Sequence, residues 1–419
     1  MIAQNYKKTK FACYFSYFAS STIFALPPLL FAIFRENYGI SYTLLGTLVV
    51  VNFFTQLSVD LVFSFFAKRF NVKNIVRFMP LITSAGLVIY ALIPTFFPNY
   101  AYLGLVIGTF VFSIAAGLSE VLISPTVAAL PSDNPERDMS NLHSLYAYGL
   151  VFVIILSSVF LHFFGSENWM YLTLFWAVFP IIASLLFFTS PIPQMNTESE
   201  GKASLKSRKR RVFLFLCMLC IFFGSAAENS MTNWISVYIE SALRIPKLFG
   251  DILGMSAFAL VLGLTRTVYA KYGKNITSVI IWSMVGAFIS YLVVSLSGNS
   301  IVGVSACILI GIFTSMLWPG ILIFIEEELP SVGVGAYALM AAGGDGGASV
   351  GPQLIGALID KVSESSFAVR FAEKYSITAE QVGMKAGMLL GAVFPLVGLV
   401  AIIVTVRYLK KNSVEIKAK

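Results

Sequence analysis

Phe223-Gly224-Ser225-Ala226-Ala227-Glu228-Asn229-Ser230-Met231-Thr232-Asn233-Trp234-Ile235-Ser236-Val237-Tyr238 continues an apolar run that begins near Val212 and is long enough to cross a bilayer. Inside it, polar residues fall at 225, 228, 229, 232, 233 and 236, the i, i+3, i+4, i+7, i+8, i+11 positions of one helical face. In a soluble helix such a stripe would be apolar; here its sign is inverted. A carboxylate, two amides and three hydroxyls are costly against lipid, so this face must meet a water-filled cavity or the interior of a bundle. A chain that keeps such a stripe in mid-membrane is expected to handle something polar there.

Composition extends that reading to the whole chain. The 419 residues are 57% hydrophobic and 12% charged, with a mean hydropathy of +0.82, whereas soluble domains carry about 25% charged residues. Apolar stretches of spanning length recur from Phe11 to about Arg407, which defines an all-α polytopic membrane protein. The residues before Phe11 lack a cleavable signal, so the first helix is expected to be retained. The net charge of +8 gathers in alternate loops, as membrane topology requires, and no basic run is interleaved with aromatics outside the spans, which argues against nucleic acid. Cys13, Cys217, Cys220 and Cys307 all fall within spans and read as small buried residues. The two histidines are far apart, so no metal site is expected. No G-x-x-x-x-G-K-[ST] loop is present, so ATP-driven transport is disfavoured. No nucleophile–base constellation stands out either, and the chain reads as a protein without enzymatic activity or cofactor.

About twelve spans are expected, near 11–34, 42–67, 75–96, 101–130, 140–164, 169–189, 212–240, 248–271, 276–297, 301–326, 335–360 and 383–407. Lys and Arg place both termini on the cytoplasmic side. Residues 190–211 form the one long polar segment, ending in Ser-Arg-Lys-Arg-Arg, and divide a bundle over 1–189 from a second over 212–419. The halves echo one another. Phe66-Ala67-Lys68-Arg69-Phe70-Asn71-Val72-Lys73-Asn74 closes span two, and Tyr269-Ala270-Lys271-Tyr272-Gly273-Lys274-Asn275 closes span eight about 200 residues later. Leu130-Pro131-Ser132 after span four is repeated as Leu329-Pro330-Ser331 after span ten. A six-plus-six duplication with its site between the repeats is a transporter architecture. The longer loop from Lys361 to about Gly383 reads as a short interfacial helix.

Few ionisable groups fall inside the spans. Asp60 shares a face with Asn52 and Gln56 and lies roughly 12 Å inside the end of span two. Glu120 shares a face with Ser113, Gly117 and Ser124; Glu228 belongs to the opening stripe; Asp345 aligns with Ser349, Gln353 and Gly356. Arg266 is the cation well inside span eight. Such carboxylates can carry a proton or sodium ion, or hydrogen-bond a polar solute; the alternative is interhelical structure, with Arg266 neutralised by a neighbouring carboxylate. Function is favoured for Glu120 and Glu228, Asp60 divides evenly, and the glycines beside Asp345 favour close helix packing. Arg266 reads as a structural or gating partner. His143, at the start of span five, suits a proton relay or a capping role. Trp234, Trp318 and Tyr17 are candidate stacking surfaces for a sugar, Trp234 above all because Asn233 adjoins it.

Taken together these stretches resemble the major facilitator superfamily over essentially the whole chain, and within it the fucose permease group of sugar–proton symporters. Gly117-Leu118-Ser119-Glu120 is similar to that group's helix-four motif. Asn141-Leu142-His143 with Tyr146 and Gly149 resembles its helix-five motif, Glu228 with Asn233-Trp234 its helix-seven motif, and Gly347-Ala348-Ser349-Val350-Gly351-Pro352 its helix-eleven segment. Three features depart from the pattern: Lys68 stands near the superfamily's acidic residue, Ser64 where glycine is usual, and Gly149 leads into Leu150 without the frequent proline. The pairing of Asp60 with Glu120 also resembles cation-coupled melibiose carriers, which keeps sodium open.

The resemblance implies a monomeric secondary transporter of a small polar solute, a monosaccharide first, in symport with a proton across a bacterial-type cell membrane. Glu120 would be the main proton and substrate carboxylate, with Asp60 and Glu228 as further coupling groups. Glu228, Asn229, Asn233, Trp234, Asn141 and Gln56 would bind solute, and Arg266, Asp345 and His143 would gate or support. The halves would rock about spans one, four, seven and ten, with bends at Pro27-Pro28 and Pro125. A proton-coupled exporter, a sodium-coupled sugar carrier and a transport-dead membrane sensor are the alternatives.

Overall fold

The computed structural model describes residues 6–66, 69–133, 135–193, 208–329 and 334–417. Most of the segment at 190–211, Lys68, and Pro330 with Ser331 of the second echo lie outside them. Every element among the described residues is helical, because in hydrocarbon each backbone N–H and C=O must be satisfied within its own segment. Contacts divide the chain into two compact units: residues 1–40 with 51–198, and 41–50 with 199–419.

The first unit holds α1 (Lys7–Ser20), α2 (Thr22–Tyr38), α3 (Tyr42–Phe66), α4 (Val72–Phe96), α5 (Ala101–Ala128), α6 (Pro135–Phe164) and α7 (Trp169–Phe188), with α3 contributing its first turns to the second unit. The second holds α8 (Arg208–Val237), α9 (Lys247–Gly250), α10 (Ala257–Tyr272), α11 (Ile276–Leu296), α12 (Ser300–Thr314), α13 (Leu317–Glu328), α14 (Val334–Ser363), α15 (Ser366–Tyr375) and α16 (Ala379–Lys417). Among the described residues, eleven helical stretches are long and apolar enough to span a membrane. The twelfth expected span is α14, 30 residues long, whose glycines, Asp345 and Gln353 dilute its hydropathy. Large apolar side chains such as Phe54, Phe163, Trp282 and Ile301 stand exposed on the outside, as a bilayer solvent demands.

Two spans read as continuous are broken. The first breaks at Ser21, whose hydroxyl donates to the Phe18 carbonyl at 2.6 Å. The expected bend at Pro27-Pro28 is not a break, since α2 runs through both prolines. Span ten breaks between α12 and α13 at Ser315–Met316. Pro319 is the cause: it has no N–H for the Ser315 carbonyl four residues earlier. The loop expected to hold an interfacial helix forms α15, with Phe367, Phe371 and Tyr375 stacked along one exposed stripe and Ala368 and Ala372 buried on the other side.

The first echo has a structural content. Asn71 caps α4, its side chain accepting from the Asn74 N–H at 3.2 Å. Asn275 caps α11 in the same way, accepting from the Ser278 N–H at 3.3 Å. Each echo therefore starts the third span of its repeat, by satisfying an N–H that the first helical turn leaves free.

In the second unit α8 is the central helix, packed against α14 along glycines four residues apart. A Cβ on Gly347 would lie 2.0 Å from the Phe222 carbonyl oxygen, and one on Gly351 would lie 2.8 Å from that of Ala226. This is the small-residue packing of membrane helices, where the gain comes from close van der Waals contact. The second unit also takes in the start of α3, where Asp360 accepts from the backbone N–H groups of Tyr42 (3.1 Å) and Thr43 (2.6 Å) and from the Thr43 hydroxyl (2.7 Å). A carboxylate there satisfies two first-turn donors and complements the helix dipole. The four cysteines are buried and none is in a disulfide; Cys220 meets the Thr405 hydroxyl at 3.5 Å.

In the first unit, Lys10 on α1 donates to Asp138 on α6, and Ser132 donates to the same carboxylate at 2.7 Å. These two hydrogen bonds, Lys10 first, hold the Asp138 carboxyl below its ordinary range. A carboxyl depressed in the folded state adds stability above its unfolded value of about 3.9, and that stability is lost as pH falls through the folded value.

Two predictions come from this packing. Gly347→Leu must separate α8 from α14 and should destabilise the fold by about 3 kcal/mol or more, read as loss of the monodisperse peak in size-exclusion chromatography. Asp138→Asn should lower the thermal midpoint in detergent by an amount that is constant from pH 8 to pH 5 and shrinks only below about pH 4. A difference that changes between pH 8 and 6 would show that another group is titrating.

Candidate functional site

Polar groups inside the first unit collect where α5 crosses α3. A Cβ on Gly117 would lie 3.1 Å from the Gln56 carbonyl oxygen and 3.0 Å from Val59, so glycine lets the two backbones approach. Above this crossing, the buried Asn52 accepts from Gln56 (2.9 Å) and from the Ser113 hydroxyl (2.6 Å). One turn below it on each helix stand Asp60 and Glu120, with Asp60 in the field of the Glu120 carboxylate. One carboxyl oxygen of Asp60 is buried with no hydrogen-bond partner, while Glu120 is exposed. Tyr17 of α1 joins them, bonding Ser124 and lying in the field of Glu120. Its ring meets His143 edge-on at 5.5 Å and Tyr146 at 5.9 Å, and its hydroxyl lies 3.5 Å from His143 Nδ1.

The structure thus joins Asp60, Glu120, Tyr17 and His143, and separates off two residues expected to touch solute. Gln56 is only 3% exposed and its amide donates to Asn52 one turn earlier on the same helix, while Asn52 makes the link to α5 through Ser113. Asn141 is exposed on the second turn of α6, beside Tyr14.

In the second unit the polar stripe of α8 is accessible only in its middle. Ser225 and Ser236 are buried, whereas Glu228, Asn229 and Thr232 are half-buried. Asn229 donates to the Ser225 carbonyl and hydroxyl, and Asn233 donates to the Asn229 carbonyl at 2.9 Å. Trp234 departs from the expected stacking surface. It is fully buried, its Nε1 donates to the Pro352 carbonyl at 2.9 Å, and its ring packs edge-on against Tyr42. A tryptophan next to a polar stripe still projects about 100° around the helix from Asn233, and that rotation turns it into the α8–α14 interface.

Glu228 is paired. Arg266 Nη2 donates to both its carboxylate oxygens, at 3.0 and 3.2 Å, and Arg266 Nε donates to the Ser315 carbonyl at 2.9 Å. The guanidinium side chain is 40% exposed against 17% for Glu228, so the pair reaches accessible space from the arginine side. Asp345 is buried between Gly344, which lies against the Trp318 ring, and Gly347 on the α8 contact.

A second charged group was hidden from the sequence reading. Asp251, 1% exposed, accepts from the Ser236 hydroxyl at 2.5 Å and faces Lys247 at 3.3 Å; Lys247 also donates to Ser236 and lies 3.7 Å from Glu240. Both carboxylates sit in π-helical turns, Glu240 in Tyr238–Ala242 and Asp251 in Asp251–Ser256. Such turns re-aim side chains and recur at functional sites. The i, i+4 spacing of Lys247 and Asp251 was the available signal. Ser236 of the stripe is engaged here.

This arrangement has known relatives. The model of the Major Facilitator Superfamily matches residues 11–352, and the chain belongs to that family. It is a membrane transporter. Its fold is similar to a bacterial homologue of the human lysosomal transporter Spinster in an inward-facing, occupied conformation, at TM-score 0.76 and 13% identity over 96% of this chain and 97% of that one. It is also similar to the nucleoside transporter NupG (TM-score 0.69, 16% identity, 96% and 98% covered). The Escherichia coli fucose:proton symporter is a further likeness (TM-score 0.57, 12% identity, 96% and 99% covered). No curated protein sequence matches the chain.

Removing one side of the ion pair leaves the other uncompensated. Arg266→Met should lower stability by about 2 kcal/mol, less than the 3–5 of a fully buried pair because the arginine is partly solvated. Adding Glu228→Gln should return the carboxylate's share of that loss and leave the share of the freed Ser315 carbonyl. Thermal unfolding of the two single variants and the double variant measures the coupling; additive losses would show that the two groups do not act as a pair.

Proposed function

We propose that the protein is a secondary transporter that moves a small polar solute, a monosaccharide first, in symport with a proton by alternating access. In this reading it works as a monomer in the cell membrane with both termini cytoplasmic, the orientation favoured by the Lys and Arg distribution. The observation that carries the proton is the juxtaposition of Asp60 and Glu120. Two neighbouring carboxylates repel when both are ionised, so the pair takes up a cation as a unit, and a proton suffices. Tyr17 and His143 extend the pair into a chain of proton-competent groups. The half-buried Glu228, Asn229 and Thr232 supply donors and acceptors for solute hydroxyls.

Sodium is the second reading, favoured by the same pair because carboxylate oxygens are hard ligands. The solute class rests on the hydroxyl-matching chemistry of α8; the similar structures carry different cargoes by name, fucose in one and nucleosides in another.

Uptake into proteoliposomes tests this, with labelled L-fucose, D-xylose and uridine, under an inward proton gradient, a sodium gradient and none. Accumulation of a sugar under the proton gradient alone is expected, and Glu120→Gln should abolish accumulation while sparing part of the exchange. Sodium dependence would reassign the coupling ion. Failure of every solute under every gradient would overturn the sugar symport reading.

A further inference from the structure

Three observations in the second unit converge on one side chain. Pro319 leaves the Ser315 carbonyl without its helical donor, and the span breaks there. Arg266 Nε, from the neighbouring α10, fills that vacancy at 2.9 Å. The same guanidinium grips both oxygens of Glu228 through Nη2. Beyond the break the helix resumes, with the Gly320 N–H bonded to the Met316 carbonyl at 2.9 Å. Only a planar group with several fixed donors can serve a backbone break and a carboxylate at once; a lysine ammonium is a point charge that serves one or the other well.

We propose that Arg266 is a positioning residue through which Glu228 controls the break at Ser315–Pro319. Whatever draws Glu228 away from the guanidinium, a solute hydroxyl or a neutralising proton, loosens the donor that holds the Ser315 carbonyl, and the tenth span can then change its bend. Discontinuous membrane helices place their unwound backbone at transporter sites, and here a side chain from a neighbouring helix completes that backbone. The role in transport rests on Glu228 belonging to the solute site as proposed above, whereas the mechanical link does not.

Hydrogen–deuterium exchange on the full chain in lipid nanodiscs reads the link without any solute, so its outcome is independent of which solute or ion is carried. The peptide covering residues 311–322 is the reporter. Arg266→Lys should raise its exchange about tenfold, as expected for losing a hydrogen bond from a charged donor. Glu228→Gln should raise it in the same peptide by a smaller factor. Pro319→Ala restores an N–H four residues beyond Ser315, so it should lower exchange below wild type and cancel the effect of Arg266→Lys in the double variant. The proposal is overturned if Glu228→Gln leaves the peptide unchanged, or if Pro319→Ala does not rescue Arg266→Lys. It is equally overturned if exchange rises throughout α8, α14 and α16, since that marks a general loss of packing.

Discussion

In hydrocarbon an unbonded carbonyl and a lone carboxylate each destabilise by several kcal/mol, and in the second unit the Arg266 guanidinium satisfies one of each. That double engagement fixes α10 against both α8 and the broken tenth span. It also depends on α8 being held still. The glycine face of α14 lies directly on the Phe222 and Ala226 carbonyls, and Trp234 is pinned to Pro352. The polar stripe is therefore held at the centre of its unit by apolar contact on one side and by a cation on the other.

The two units share a scaffold and differ in chemistry. Both begin their third span with an asparagine cap at the same point of the repeat. Yet the first unit sets a carboxylate against a carboxylate, Asp60 and Glu120, where the second sets a carboxylate against a guanidinium. Like charges make a site that responds to cations; opposite charges make one that responds to groups competing for a hydrogen-bonded pair. A duplicated fold that diverges in this way can assign ion and solute to different repeats.

Sequence reading recovered the spans to within a few residues because hydropathy along a helix is a local property. It paired Asp60 with Glu120 only through the resemblance to melibiose carriers; that Gly117 lets their two helices approach at Gln56 is visible only in the structure. It failed where a side chain's partner belongs to a distant segment. Nothing near Trp234 signals that its Nε1 donates to the Pro352 carbonyl. Asp251 was passed over because a charge at the start of a span reads as a loop residue until Ser236 and Lys247 are seen around it. Pro319 was legible as a helix breaker, but its consequence needed Arg266, 53 positions earlier in the chain.

The burial of all four cysteines has a practical side. Thiols packed among apolar neighbours, away from cationic groups and water, react slowly with soluble reagents. The natural chain is thus close to a silent background for thiol chemistry, and a cysteine placed at an accessible position would be its one fast-reacting group. Spectroscopic labels and crosslinkers can then be attached site by site without first stripping Cys13, Cys217, Cys220 and Cys307 from the helices they help to pack.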